Sequence, residues 1–515
     1  MILGQVMARD IGGISKVSWL SSGVSIVNMS FGPAFSQAAD YWGRKWFIVA
    51  SCSIGMVGAI IVSRAQSMNI AILGTTLASM VLAAQPLTFT VASEILPRRY
   101  RVLGQAFVNL GLASGGVLAL LGGNALAEAF GEGWRIIWYM ETGFLAFAAT
   151  VTTFMYNPPQ RPEEVSLTTR AKLGMLDWTA IISLTIGVVL FVMGLTWANN
   201  PYPWRDAHVL GPFLIGSAIL IALVIHQTKL KKDGLFHHGA FKSDRNLAIA
   251  LICVGIEGLV YFVANVYYPM EVAILFTSDA NQIALHWSVS LFSMFFALAV
   301  IVWYIPTKRD MRTPLVISYV FVALFFGLLL AVEPGKTALM WVAPIFVGLG
   351  TGIGYTVCVV VAHFGAPQEF LSLASGMIIC IRAFGASIGV PIFVSMFNSQ
   401  TTKYLPRYIA NAVLPLGLAP KDLPAFIQAL LSSDSKSLMQ IPGVSPDVIA
   451  AGVSGLQQGY IKSFQAPHIT AIILAVVGLI ASCFVINPKA AFNMHVDSPL
   501  VENKVAPTKE AAASA

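Results

Sequence analysis

The hexapeptide Asp40-Tyr41-Trp42-Gly43-Arg44-Lys45 connects two apolar stretches, 17–38 and 46–63. A charged turn this short joins two membrane spans on one side of a bilayer. Asp40 can accept hydrogen bonds from a helix N-terminus or an arginine, and Gly43 permits a tight reversal. Arg44 and Lys45 supply the basic excess that marks cytoplasmic loops. The turn therefore points to a polytopic all-α membrane protein and fixes which side faces the cytoplasm.

Composition supports that class. Of 515 residues, 57% are hydrophobic and 11% charged, against roughly 25% charged in soluble domains. Stretches of about 20 apolar residues cross roughly 30 Å of hydrocarbon as helix. They fall at 17–38, 46–63, 69–93, 105–126, 136–155, 178–197, 208–226, 247–268, 286–305, 314–331, 338–362, 372–396 and 468–486, thirteen in all. The five cysteines, Cys52, Cys253, Cys358, Cys380 and Cys483, lie singly inside these stretches. They read as small core residues with no metal-ligand spacing. No nucleophile, base and metal cluster converges in any loop, so a membrane enzyme is the least consistent reading and no cofactor or metal is expected. The net charge of +7 sits in alternate loops, which is topology and not a nucleic-acid footprint.

The basic residues test the orientation. With 39–45 inside, the inward loops carry Arg44, Lys45, Arg98, Arg99, Arg101, Arg161, Arg170, Lys172, Lys229, Lys231, Lys232, Lys242, Arg245, Lys308, Arg309 and Arg312, sixteen in all. The outward short loops carry Arg64, Arg135, Arg205 and Lys336. This asymmetry places the start of the chain outside and its end inside, which agrees with thirteen spans. Met1 to Asp10 contain no apolar core of a signal peptide.

The hexapeptide resembles the signature loop of the major facilitator superfamily, G-x-x-x-D-x-x-G-R-[KR], with Ser36 where that pattern has its first Gly. Further segments follow in one order: Glu94-Ile-Leu-Pro-Arg-Arg-Tyr-Arg101, Trp134-Arg135-Ile-Ile-Trp-Tyr139, Tyr156-Asn-Pro-Pro-Gln-Arg-Pro162, Leu176-Asp-Trp178, Gly194-Leu-Thr-Trp197, Tyr202-Pro-Trp-Arg-Asp-Ala-His-Val209 and Ile381-Arg-Ala-Phe-Gly-Ala-Ser-Ile-Gly389. The ordered set resembles the fungal trichothecene efflux pump family, whose relatives include siderophore-iron transporters. The resemblance implies a plasma-membrane or vacuolar transporter, monomeric, that moves a small organic molecule, usually against protons. It also implies two parallel six-helix repeats around a midplane site, with an extra central pair of helices, here 178–197 and 208–226. Met7-Ala-Arg-Asp-Ile-Gly-Gly13 resembles the link after the first helix of fourteen-span members, so the first helix is expected to be missing, through a truncated gene model or in a degenerate paralogue. The expected domains are 1–155, an N-terminal bundle one helix short; 156–246, linker and central pair; 247–486, a six-helix bundle whose long outer loop at 397–467 carries short amphipathic pieces and is expected as a partly ordered cap; and 487–515, a disordered cytoplasmic tail. Loop charges in this family pair across helices and separate on inward opening, which makes Asp40, Gly43, Arg44, Lys45, Glu94 and Arg101 the expected inner gate. Two departures stand out. Thr75 occupies the position where drug–proton antiporters commonly carry Arg, and Leu118-Ala119 precede Gly122-Gly123 where they carry Gly-Pro.

Two charges lie within the spans. Glu257 is central in 247–268 and Arg382 in 372–396, each costing about 2.5–3.5 kcal/mol unless it faces a cavity or partner. Glu257, Tyr261 and Asn265 fall at i, i+4 and i+8, followed by Tyr268, so one face presents an acid, an amide and two phenols. Glu257 is expected to carry the coupling proton or to be a structural hydrogen-bonding residue. Arg382 is expected as its ion partner or as an anion anchor. Tyr261, Asn265, Tyr268 and Tyr355 are the expected substrate-facing residues. His363, on the face of Tyr355 near the cytoplasmic end, reads more readily as a snorkelling or capping residue than as a proton relay.

The combined expectation is a proton-linked exporter of a toxic, trichothecene-like metabolite. The alternatives are a siderophore-iron uptake transporter or, from another class, a non-transporting membrane receptor or inactive remnant.

Overall fold

A computed structural model describes residues 2–158, 167–198, 202–231, 233–242, 244–277, 279–333, 337–431 and 435–496. Every expected span is a helix. They are α1 Ser18–Trp42, α2 Lys45–Ser63, α3 Met68–Ile95, α4 Arg98–Ala129, α5 Gly133–Met155, α6 Trp178–Trp197, α7 Ala207–Leu230, α8 Asn246–Leu275, α9 Ala280–Lys308, α10 Arg312–Leu330, α11 Thr337–Gly365, α12 Leu371–Val413 and α13 Pro446–Ser482. Eleven of these are long and apolar enough to cross a membrane by themselves. The other two, α1 and α5, are more polar: α1 carries a run of serines and Asn28, and α5 carries Glu141 and several threonines. Such helices are stable in a bilayer when their polar atoms turn inward or bond back to the helix. Thr142, Thr150 and Thr153 donate to carbonyls one turn earlier at 2.7–2.8 Å.

Helix α2 packs on both α3 and α5, while α8 to α13 form the second bundle. The bundles meet along two seams, α1 against α12 and α4 against α9 and α11. The central pair, α6 and α7, packs on itself and against α1. The largest buried core threads α8 to α12, with Leu247, Cys253, Ile301, Tyr319, Val359 and Met377 among its members.

The α1–α12 seam shows how small residues set helix approach. Gly376 of α12 faces Ser36 so closely that a Cβ there would lie 2.6 Å from the Ser36 Oγ. The glycine absent at position 36 is thus matched by one across the seam. The hydroxyl of Ser36 is itself satisfied within α1, donating to the Gly32 carbonyl at 2.9 Å.

The 397–467 segment is largely helical. Helix α12 continues to Val413, and α13 already begins at Pro446. Between them lie the helices Leu423–Leu431 and Ser435–Gln440. Leu405, Ile409, Val413, Phe426, Leu430 and Val448 form a separate buried cluster. The apolar residues of that stretch are spaced to cover one another, which is why it folds as a helical cap. The tail differs from the expected one at its start. Residues 487–496 pack on the inner face, where the Arg98 and Arg99 amides donate to the His495 and Asn493 carbonyls at 2.9 and 3.0 Å. The buried Phe492 stacks on Phe364 at 4.7 Å. The remainder of the expected tail, 497–515, lies outside the described residues.

Candidate functional site: an inner latch and a midplane ion pair

The turn after α1 is built as its residues dictate. Gly43 takes φ 82°, a left-handed conformation that a side chain would strain, and so ends α1 and starts α2 within two residues. Arg44 is thereby directed inward and is buried. Its guanidinium pairs with Glu94 at the end of α3, reaches Asp40 Oδ1 at 3.4 Å and donates to Ser372 Oγ of α12 at 2.8 Å. Arg101, 2% exposed, donates to the His363 carbonyl of α11 at 3.2 Å and lies over the Phe364 ring. Arg44, Asp40, Glu94 and Arg101 therefore converge at one end of the molecule. Lys45 instead turns outward, donating to Asn157 Oδ1 at 2.5 Å. The difference arises because adjacent residues at a helix start point to different sides.

Between the two arginines lies His363, 1% exposed. Its ring nitrogens stand 2.7 Å from Ser93 Oγ of α3 and 2.7 Å from Ser375 Oγ of α12. Ser375 also meets Thr90 at 3.0 Å, and Gln105 of α4 donates to Ser93 at 2.7 Å. The snorkelling expectation for His363 is corrected: α3, α4 and α12 close over the end of α11 and enclose the ring. The expected gate omitted Ser93, Ser372, Ser375 and His363. Hydroxyl side chains near span ends carry no distinctive sequence signal. Gln105 and Asn109, at i and i+4 at the start of the apolar 105–126 stretch, did carry one.

Deeper in the molecule, Glu257 and Arg382 form a bidentate pair. Arg382 Nε donates to Oε2 at 2.6 Å and Nη2 to Oε1 at 3.1 Å. The guanidinium lies 3.9 Å from the centroid of Tyr355, with Tyr261 and Phe262 at 5.3 and 5.5 Å. Close packing brings the helices together here, since Gly385 approaches the Gly255 backbone and Gly258 approaches the Arg382 backbone. Tyr355 packs edge-on against Phe89 of α3, and Asn109 of α4 donates to Thr356 at 2.9 Å. The pair thus sits where the two bundles meet.

The expected substrate stripe on α8 divides. Tyr261 and Asn265 are half-buried. Tyr268, on the same stripe, is fully buried against Trp287 and Phe325, and its hydroxyl donates to the Met340 carbonyl. Helices α9, α10 and α11 close over the outer part of the stripe, so sequence spacing alone overextended it.

At the inner end of the central pair, Asp177 is fully buried at the start of α6. It accepts from Lys231 at 2.9 Å, Gln227 at 2.7 Å, and the Ala180 and Leu235 amides at 3.2 and 3.1 Å. Burial acts to raise its carboxyl, but the hydrogen bonds outweigh burial and hold it below the usual carboxylate range. The Asp177 amide donates to Gln37 of α1 at 3.2 Å, tying the central pair to the first bundle.

The comparisons agree with this architecture. A family model described as the fungal trichothecene efflux pump (TRI12) matches residues 4–511. The chain is 21% identical over 512 residues to a trichothecene efflux pump of Fusarium sporotrichioides, covering 98% of this chain and 84% of the relative. It is 23% identical over 453 residues to the MFS-type transporter prx5 of Penicillium rubens, covering 86% and 80%. Among solved structures, the human organic anion transporter MFSD10 superposes with a TM-score of 0.55 at 9% identity, covering 93% of this chain and 89% of that one. The proton:xylose symporter XylE superposes at 0.53 and 11%, covering 96% and 89%. Two helical bundles meeting along α1–α12 and α4–α9, closed at one end by the residues of the 40–45 turn, are the major facilitator arrangement, and the match over residues 4–511 fixes the branch: the chain belongs to the fungal trichothecene efflux pump family and is a multi-pass membrane transporter.

Proposed function

We propose that the protein exports a small, largely apolar, oxygen-bearing organic metabolite of the trichothecene class, and that protons drive it through the Glu257–Arg382 pair. The observation that carries this reading is the pair itself, bidentate at the seam of the bundles beside the half-buried Tyr261 and Asn265.

A buried ion pair persists because each charge compensates the other. Protonating Glu257 removes one charge and leaves the guanidinium held by the rings of Tyr355, Tyr261 and Phe262, which is a weaker hold. The pair is therefore a two-state element whose balance a proton biases, and the seam of the two bundles moves with it. The aromatic walls supply apolar contact for the substrate, while Tyr261 and Asn265 supply hydrogen bonds that orient it. We take the latch around Arg44 and His363 as the inner gate, which holds while substrate leaves on the outer side. The test is export of a trichothecene from cells or inverted vesicles bearing the protein under an imposed pH gradient. Export that collapses with the gradient supports the reading, and gradient-independent export overturns the coupling.

A further inference from the structure

A second pair of buried titratable groups lies outside the midplane site. Glu271 of α8 and His468 of α13 are each 1% exposed, with Glu271 Oε2 and His468 Nε2 at 3.4 Å. Neither of those two atoms has a hydrogen-bond partner. The surroundings are aromatic. The His468 ring lies parallel to Phe464 at 5.9 Å and 5.8 Å from Phe326, and Phe464 meets Phe397 and Tyr267. An unpartnered carboxylate or imidazolium in such a box is costly, and unexplained unsatisfied atoms in a buried site point to a function.

Charge counting defines what the box can hold. With one proton between them, the two groups are neutral overall, either as acid plus imidazole or as an ion pair. With two protons the box carries a lone cation, and with none a lone anion. One shared proton is thus the stable occupancy of the closed box, and exchange requires it to open. The helices provide the means. Pro269 lies two residues before Glu271 within α8, and Pro467 immediately precedes His468 within α13. Each removes a helical hydrogen bond beside the pair and makes a natural flexing point.

Other titratable groups on the surrounding elements are otherwise engaged or displaced. On α8, Tyr268 is bonded to Met340, and Tyr267 packs between Phe393 and Phe464. On α13, Lys462 is held by Gln465 at 2.8 Å, and Tyr460 stacks on Phe397. On α10, Tyr319 donates to the Cys253 carbonyl. On α9, His286 bonds the Gln282 carbonyl and lies against Trp341 of α11. On α12, Arg382 is paired with Glu257, and Lys403 lies beside Tyr404, at the end toward the outer cap.

We propose that Glu271 and His468 form a second proton-binding site, at the outer end of the C-terminal bundle, which holds one proton when α8 and α13 are closed and exchanges it with the outside when they part. Its role in export rests on the proton-coupled reading above; its proton does not, and can be measured without transport.

The test uses the full-length protein in lipid. Infrared difference spectra between acid and alkaline pH report protonated carboxyls through their C=O stretch. Among the carboxyl bands that titrate in wild type, one is lost in Glu271→Gln, and in His468→Gln its midpoint moves by about one pH unit or more, a tenfold change in proton affinity. Glu257→Gln leaves that band in place. A folded Glu271→Gln protein whose spectrum matches wild type, or a His468→Gln midpoint that does not move, overturns the shared-proton site. Should Glu271→Gln fail to fold, Glu271→Asp, which keeps the acid but shortens its reach, replaces it and is expected to shift the band. An unshifted band in that variant overturns the proposal equally. If the bands behave as expected while export by the wild-type protein is independent of an imposed pH gradient, the site stands and the coupled reading fails.

Discussion

Arg44 Nη2 donates to Ser372 Oγ at 2.8 Å, joining the turn after α1 to the start of α12. With the Glu94 pairing on the same guanidinium, one side chain holds three helices at the inner end. Removing it takes the Arg44 charge away from Glu94 and breaks the tie to α12, an effect on the order of 3 kcal/mol, or roughly a hundredfold in the closed-to-open ratio. Arg44→Ala is therefore expected to lower export at least tenfold while the protein still reaches the membrane, because the other inner-loop cations preserve the topology signal. A cysteine placed by Thr90→Cys should at the same time become more accessible to a reagent applied from inside. Lys45→Ala, which removes contacts to Asn157 and the Trp46 ring at the surface, should retain most activity.

His363 is bridged to both bundles by two hydroxyls at 2.7 Å. Loss of both bonds in His363→Ala costs about 1–3 kcal/mol, enough for a five- to hundredfold weakening of the inner latch. Export should fall, and inward accessibility at Thr90→Cys should rise. Unchanged accessibility would mean that the ring only fills space.

Much of this architecture is legible in the sequence, for physical reasons. Span positions follow from hydrocarbon thickness, and all thirteen expected spans are helices. The Arg44–Glu94 pairing is legible because motif residues carry charge. What escapes is anything decided by neighbours distant in the chain. The burial of His363 depends on α3 and α12 meeting α11, and the loss of Tyr268 from the open stripe depends on α9 to α11 covering it. The cap between α12 and α13 is legible as short amphipathic pieces, but its helical extent is not, because Pro406, Pro415, Pro420 and Pro424 suggest breaks. Pro406 instead lies within α12.

Asp177 fastens the central pair to α1. Asp177→Asn keeps the size but loses the charge that Lys231 and the amides share, so the melting temperature in detergent should fall, with a cost of about 1–3 kcal/mol. The sign of the pH effect follows from its lowered carboxyl range. The stabilisation is present above the unfolded value of about 4 and is lost as pH falls through the folded value. Acid should therefore destabilise wild type more than Asp177→Asn as pH drops below about 4, as thermal melts across pH would register.

Gly376 allows α12 to approach Ser36. A bulkier residue there would push the seam apart, so Gly376→Leu should lower export while Ser36→Gly, which only removes atoms, should have little effect. Comparable loss in both variants would argue against steric control at this crossing.

The central claim is that a proton on Glu257 drives the exporter. The direct measurement is pH-jump transport in vesicles bearing Glu257→Gln, run beside a stability assay in detergent. The account predicts a protein of near wild-type stability that binds and exchanges substrate without a gradient, through Tyr261 and Asn265, but no longer accumulates it when a pH gradient is imposed. A stable Glu257→Gln protein with normal pH-driven accumulation would contradict the account. So would a loss of stability by about 3–5 kcal/mol, the expected penalty of an uncompensated Arg382, since it would mark the pair as structural.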